Sequence, residues 1–148
     1  MNLPYLFPRL IRHFLPQTMV RFLLRHQWFI RPGQETADPQ AALRRYQQVL
    51  EPRRVSWEGK DVLVFGYGGH FAFACGLLES GARHVILCDK YAPPDHFRNI
   101  ALLPRYAKYL IHNGKTVLPR PEMITLLQGD IRDGAVAKKI APVDLVLS

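Results

Sequence analysis

The chain has little of what would staple it, wire it to a metal or anchor it in a bilayer. Its 148 residues include two cysteines, Cys75 and Cys88. Two thiols make no disulfide framework, and this pair lacks the C-x2-C spacing of a metal site. The ordinary reading is two buried thiols in a reducing compartment. His84, His96 and His112 also lack ligand spacing, and no Ser/His/Asp or Cys/His arrangement for nucleophilic catalysis can be argued. The longest uncharged run, Val62 to Leu78, is shorter than the roughly 20 residues of a spanning helix and is broken by glycines. Arg9, Arg12, Arg21 and Arg25 interrupt every candidate signal-peptide core in the apolar first thirty residues. Internal repeats and low-complexity tracts are missing.

Acidic residues are scarce: 12 Asp and Glu stand against 20 Lys and Arg, for a formal charge of +8. The imbalance is local. Residues 1–60 hold ten basic and four acidic side chains, whereas residues 61–148 hold ten and eight. Apolar content is ordinary for a globular protein, and the length suits one domain with a real core.

The first third reads helical and broken, because Pro4, Pro8 and Pro16 forbid one long helix. Short helices fit about 8–15 and 18–29, the second stopped by Pro32-Gly33. Leu10, Ile11, Phe14, Leu15, Phe22, Leu23, Leu24 and Trp28 interleave there with arginines. Such basic amphipathic segments pack over a sheet edge, cover a pocket, or lie on an anionic membrane surface, so residues 8–30 are the candidate peripheral membrane contact. No recognition motif points to nucleic acid, and none is expected as a partner. A third helix starts at Asp38 as N-cap with Pro39 in first position, carries Leu43, Tyr46 and Leu50, and ends at Pro52. Residues 52–60 form a connector.

From residue 61 strand and helix alternate. Val62-Leu63-Val64-Phe65 is continuously apolar, as a strand buried on both faces should be. A helix follows over about 71–80, closed by Gly81. His84 to Cys88 is a second strand, ending on Asp89. Asp95 caps a helix that Pro104 kinks or splits near Leu103, and Asn113-Gly114 is a turn. Ile124 to Leu127 is a third strand, followed by Gln128-Gly129-Asp130. A short helix fits 135–140, and Val143 to Leu147 is a fourth strand. Alternation of this kind implies a parallel sheet with right-handed crossovers. The expected fold is an α/β, Rossmann-like sheet of about four strands with helices on both faces. Residues 1–60 are a basic helical extension and residues 61–148 the cofactor-binding half. The expectation includes a longer natural chain, with this one as its N-terminal part.

The chemistry is concentrated at Gly66-Tyr67-Gly68-Gly69. Glycines let the backbone turn sharply and approach a ligand, and the helix that follows offers free N–H groups. Asp89, 23 residues after Gly66 and at the tip of the next strand, stands where an acid can accept both hydroxyls of a ribose.

The run VLVFGYGG…GLLESGARHVILCDKY resembles the first two motifs of class I S-adenosylmethionine-dependent methyltransferases. Their phrase G-A-x-x-V-x-x-x-D is matched by Gly81-Ala82-Arg83-His84-Val85-Ile86-Leu87-Cys88-Asp89. A third motif, an apolar strand ending in Gly-Asp, is matched by Leu126-Leu127-Gln128-Gly129-Asp130. A fourth, an apolar strand opening with Asp, is matched by Val143-Asp144-Leu145-Val146-Leu147-Ser148. The pieces occur in the family's order over about residues 61–148. The resemblance implies S-adenosylmethionine as cofactor and methyl transfer as activity. Gly66, Tyr67, Gly68 and Gly69 would lie along its methionine and ribose. Asp89 would hold the ribose hydroxyls. Asp130 would accept from the adenine amino group, with the Ile131 N–H nearby and Lys90 or Tyr91 flanking the ring. It names neither a catalytic residue nor a methyl acceptor. Val64 stands where the family often has an acid, and His70 replaces the motif's last glycine. The 41 residues from Asp89 to Asp130 imply an insertion around Pro104.

Two other readings compete, one on the same residues and one on residues 8–30. A short-chain NAD(P)-dependent oxidoreductase shares the strand, glycine turn and acid, and Gly129-Asp130-Ile131-Arg132-Asp133 is of its kind. However, Phe71 occupies the third glycine position of G-x-G-x-x-G, and no Tyr-x-x-x-Lys pair is in usable context. The other is a non-catalytic membrane-surface module. The location expected is the cytoplasm, with peripheral membrane contact as an option.

Overall fold

The computed structural model describes residues 38–148. The helices expected at 8–15 and 18–29, and with them the membrane contact expected of residues 8–30, lie outside the described residues.

Helix α1 spans Pro39–Leu50. Asp38 caps it by accepting the Ala41 N–H at 2.9 Å, and Pro39 sits in the first turn, where its missing N–H has no helical partner to lose. Pro52 ends the helix by drawing the chain into a 3-10 turn, Glu51–Arg53. The following elements are β1 (Asp61–Phe65), α2 (Ala72–Glu79), β2 (His84–Asp89), α3 (His96–Ile100), α4 (Leu103–Tyr106), β3 (Leu110–His112), β4 (Val117–Pro119), β5 (Ile124–Gln128), α5 (Gly134–Ala137) and β6 (Leu145–Leu147).

The four expected strands form one sheet in the order β5-β2-β1-β6, and every neighbouring pair is parallel. Both faces are covered, which is why these strands read as unbroken apolar runs. On one face Val62, Val64, Val85 and Leu87 pack with Phe71, Cys75 and Leu77 from α2 and its approach, and with Leu43 of α1. Trp57, from the connector, is buried in the same cluster. On the other face Leu63, Ile86 and Cys88 meet Leu127, Ile131, Val136 and Ile140, on and around α5. The chain is therefore an α/β protein with a parallel sheet between helical layers.

A long connection joins β2 to β5 and holds α3, α4, β3 and β4. Asp95 caps α3 by accepting the Arg98 N–H at 3.1 Å. Pro104 divides the helical stretch as expected, with α3 ending at Ile100 and α4 starting at Leu103. The turn at Asn113-Gly114 is present, and it joins an antiparallel hairpin, β3 and β4, that sequence patterning did not reveal. Each strand has three residues, too few for alternation to register, and Pro119 argues against a strand. Asn113 shapes the tip by accepting the Lys115 and Thr116 N–H groups.

At the amino edge of the sheet Asp144 accepts the Asp61 N–H at 2.9 Å, and Arg83 holds Asp61 through two bonds of 2.8 Å. These contacts set the register of β6 against β1. No helix among the described residues is long and apolar enough to cross a membrane.

Leu77 is completely buried in α2. Leu77→Ala is expected to lower unfolding free energy by about 2–5 kcal/mol in urea denaturation. Val49→Ala, on the exposed side of α1, should change it by about 0.5 kcal/mol or less. Equal effects of the two would show that α2 does not pack on the sheet as described.

Candidate functional site

In an open parallel sheet ligands settle at the carboxyl ends of the strands, beside the point where strand order reverses. Here that point lies between β1 and β6, and the turn 66–69 leaves β1 at that edge. Gly66, Gly68 and Gly69 all have positive φ, at 66°, 67° and 78°. The turn thus needs the conformations that only glycine adopts without strain.

The Gly66 N–H donates to the Cys88 carbonyl at 2.9 Å, which ties the start of the turn to β2. Asp89 is 8% exposed, and its carboxylate is held by main-chain donors. Oδ1 accepts from Tyr91 N–H and Ala92 N–H, both at 2.8 Å, and Oδ2 accepts from Gly68 N–H at 3.1 Å. A carboxylate has about four acceptor positions; three are used here, and one on Oδ2 is not taken by any of these bonds. The Asp89 carbonyl accepts the Gly129 N–H and Gln128 Nε2, which brings the end of β5 to the same place. The structure therefore gathers Gly66, Gly68, Asp89 and Asp130 at one edge of the sheet.

Other expected residues play narrower parts. The Tyr67 ring is buried and stacked on Phe71 at 6.1 Å, so this side chain belongs to the core. Burial, aided by the negative charge of Asp89, pushes its phenol above the ordinary tyrosine range. The Ile131 side chain packs under the sheet against Leu63, Ile86 and Cys88. Asp130 is engaged by Arg132 at 2.7 Å and by Lys90 at 2.9 Å. Those bonds, from Arg132 first, hold its carboxyl far below the usual range, so it stays an anion. Lys90 Nζ also lies 5.0 Å from the centre of the Tyr91 ring. Asp144 lies away from this edge, in the amino-edge contacts already described.

The residue that sequence reasoning missed is Asn99, which is wholly buried. Its Nδ2 donates to the Gly69 carbonyl at 2.8 Å, and its Oδ1 accepts the Phe71 N–H at 2.9 Å. Asp95 N–H donates to the same Gly69 carbonyl at 2.8 Å. Helix α2 has no side-chain cap of its own, so Asn99 satisfies the donor at its entrance from 28 residues away. One signal was present: asparagine inside a helix is costly unless its amide is used. The 93–99 segment presses on the turn so closely that a methyl group at Gly69 would collide with the Pro93 carbonyl. Nothing lies within 4 Å of a methyl group built at Gly66. The turn has a closed arc at Gly69 and an open arc at Gly66.

His70 follows the turn, half-buried beside α3. Burial, with help from the Arg98 charge and against that of Asp95, brings its imidazole down to about 4. It is neutral at physiological pH. A groove of about 530 Å³, lined by Gln47, Trp57, Glu58 and Ser80 among others, lies at the opposite end of the sheet. Among the described residues no group of three or more His, Cys, Asp or Glu side chains is placed to hold a metal ion. No family model matches this chain, and no curated protein and no solved structure matches it.

Two outcomes follow from this geometry. Gly69→Ala combines positive-φ strain with the Pro93 collision, whereas Gly114→Ala, at φ 86° with open space around it, suffers the strain alone. Gly69→Ala should be the more damaging by about 1 kcal/mol or more in denaturant melts, and parity would refute the close approach of residue 93. The His70 shift predicts acid sensitivity. Unfolded chains take up this proton near 6.5 and folded chains near 4, so stability present above 6.5 is lost as pH falls through that window. Between about pH 7 and 4.5 the melting temperature of wild type should fall more steeply than that of His70→Gln, and parallel curves would rule this out.

Proposed function

We propose that the carboxyl edge of this sheet binds S-adenosylmethionine and that the chain is an S-adenosylmethionine-dependent methyltransferase. The observation that carries this reading is the bond between the Gly68 N–H and the Asp89 carboxylate, with Oδ2 still able to accept a hydroxyl. It puts the glycine turn and the ribose-binding acid of the resembled family in direct contact. The open arc at Gly66 leaves room for a ligand there. Strand order supports the same reading, since β6 beside β1 makes the crevice into which such a cofactor fits.

The sulfonium of the cofactor supplies a methyl group that is already reactive, so the protein's work is binding and orientation. Asp89 Oδ2 would take a ribose hydroxyl, and the main chain of Gly66, Tyr67 and Gly68 would follow the methionine portion. Lys90 and Tyr91 would flank the adenine. Asp130 reaches the adenine amino group once the Arg132 side chain, 81% exposed, swings off it. Val64, buried in the sheet, offers no carboxylate to the methionine ammonium, so that contact falls to the main chain of the turn.

The nicotinamide reading is weaker, because Phe71 is completely buried at the position of that motif's third glycine. A reducing, cytoplasmic location accords with the proposal: Cys75 and Cys88 are free and buried, and burial raises the Cys75 thiol to about 12.

Calorimetric titration of the purified chain with S-adenosylhomocysteine and with NADH separates the two readings. S-adenosylhomocysteine should bind more tightly than about 1 mM, equivalent to about −4 kcal/mol, and NADH should give no heat above dilution. Binding of NADH with none of S-adenosylhomocysteine would reverse the assignment.

A further inference from the structure

We infer that Asn99 is a positioning residue for the ligand turn, latching the 93–99 segment onto its far arc so that the open arc at Gly66 is the part left for a ligand. The inference rests on the cofactor reading above for the ligand, and on the geometry alone for the latch.

Three hydrogen bonds from one segment converge on Gly69, the last residue of the turn, and on Phe71 at the entrance to α2. Asn99 Nδ2 and Asp95 N–H both donate to the Gly69 carbonyl, each at 2.8 Å, which uses both of its lone pairs. Asn99 Oδ1 takes the Phe71 N–H at 2.9 Å. The Pro93 carbonyl lies over the Cα of Gly69, where a methyl group would strike it. These are the groups that a bare glycine turn would offer to solvent or ligand, and here the protein's own 93–99 segment occupies them. Asn99 is completely buried, so no water competes for its amide. Its two bonds straddle His70 and define the angle at which α2 leaves the turn. The open arc lies at Gly66, and Gly68, between it and the latch, reaches Asp89 Oδ2 through its N–H. A change at Asn99 therefore acts on ligand through Gly68 and Asp89 without touching the ligand.

The 93–99 segment is thereby part of the binding site's frame. Asp95 starts α3 and Asn99 lies inside it, so this helix is ordered by the same contacts that order the turn. A single side chain links a segment 30 residues further along the chain to the glycine loop.

The test compares the full chain with Asn99→Ala, Asn99→Asp and Ile124→Ala. Ile124 is buried at the amino end of β5, far from the turn, and serves as a control for general destabilisation. S-adenosylhomocysteine affinity is read by calorimetry, stability by thermal melting, and turn rigidity by amide exchange at Gly68, whose bond to Asp89 does not involve Asn99. Asn99→Ala should weaken S-adenosylhomocysteine by tenfold or more and speed Gly68 exchange by tenfold or more. Ile124→Ala should lower the melting temperature yet leave affinity and Gly68 exchange within twofold. Asn99→Asp, which keeps the acceptor for Phe71 N–H and loses the donor to Gly69, should fall between; it carries the test if the alanine variant does not fold. Affinity and exchange within twofold of wild type in the Asn99 variants would overturn the inference while leaving the cofactor reading intact. Absence of S-adenosylhomocysteine binding to wild type would remove the cofactor reading, and Gly68 exchange would then decide the latch by itself.

Discussion

The Asp89 carboxylate stands almost out of water, and three main-chain N–H groups replace the hydration it gives up. A buried anion without such partners would be costly. The donors come from two segments, the glycine turn after β1 and the 90–92 loop after β2. The residue's own carbonyl collects a third segment, the Gln128-Gly129 end of β5. Everything at the carboxyl edge is thus referred to one residue. Because each bond from the carboxylate goes to main chain, the arrangement depends little on the side chains in those loops. That independence lets Tyr67 turn inward to Phe71 and lets Asp130 face its cations while the loop positions stay set.

How much of this could be read in advance depended on the range of each interaction. β1, β2 and β5 announced themselves because both sheet faces are covered, so burial demanded runs of apolar residues at consecutive positions. Two caps were equally legible, since Asp38 and Asp95 act on N–H groups three residues away. Pro104 divided α3 from α4 for a reason internal to the chain. The hairpin was invisible because its stability comes from Leu110 and Val117 reaching the main core, not from a pattern along three-residue strands.

The site was legible in a different way. Gly66, Gly68, Gly69 and Asp89 were expected at the edge where they stand, because glycine spacing reflects backbone conformation and that is a local matter. Asn99 was not, since its partners are 28 and 30 residues earlier and nothing in the intervening chain marks them. Asp144 stands at the opening of its strand, as expected, but the tie of its side chain to Asp61, a register contact between residues 83 apart, is not something strand patterning encodes.

That separation has a consequence for how the protein reaches this structure. β1 and β2 are joined by a compact strand, turn and helix, and they can pair early. β6 must return to the opposite flank of β1 across a span of 83 residues. Closing a loop of that length carries an entropy cost of about 4 kcal/mol from its length dependence alone. Strand β6 contributes three residues in return, one of them well buried. The reversal of strand order that creates the crevice therefore depends on a pairing far apart in sequence and on a strand of three residues. Pairings this far apart in sequence are of the kind that slows folding, and β6 brings few buried side chains to the crevice wall it forms.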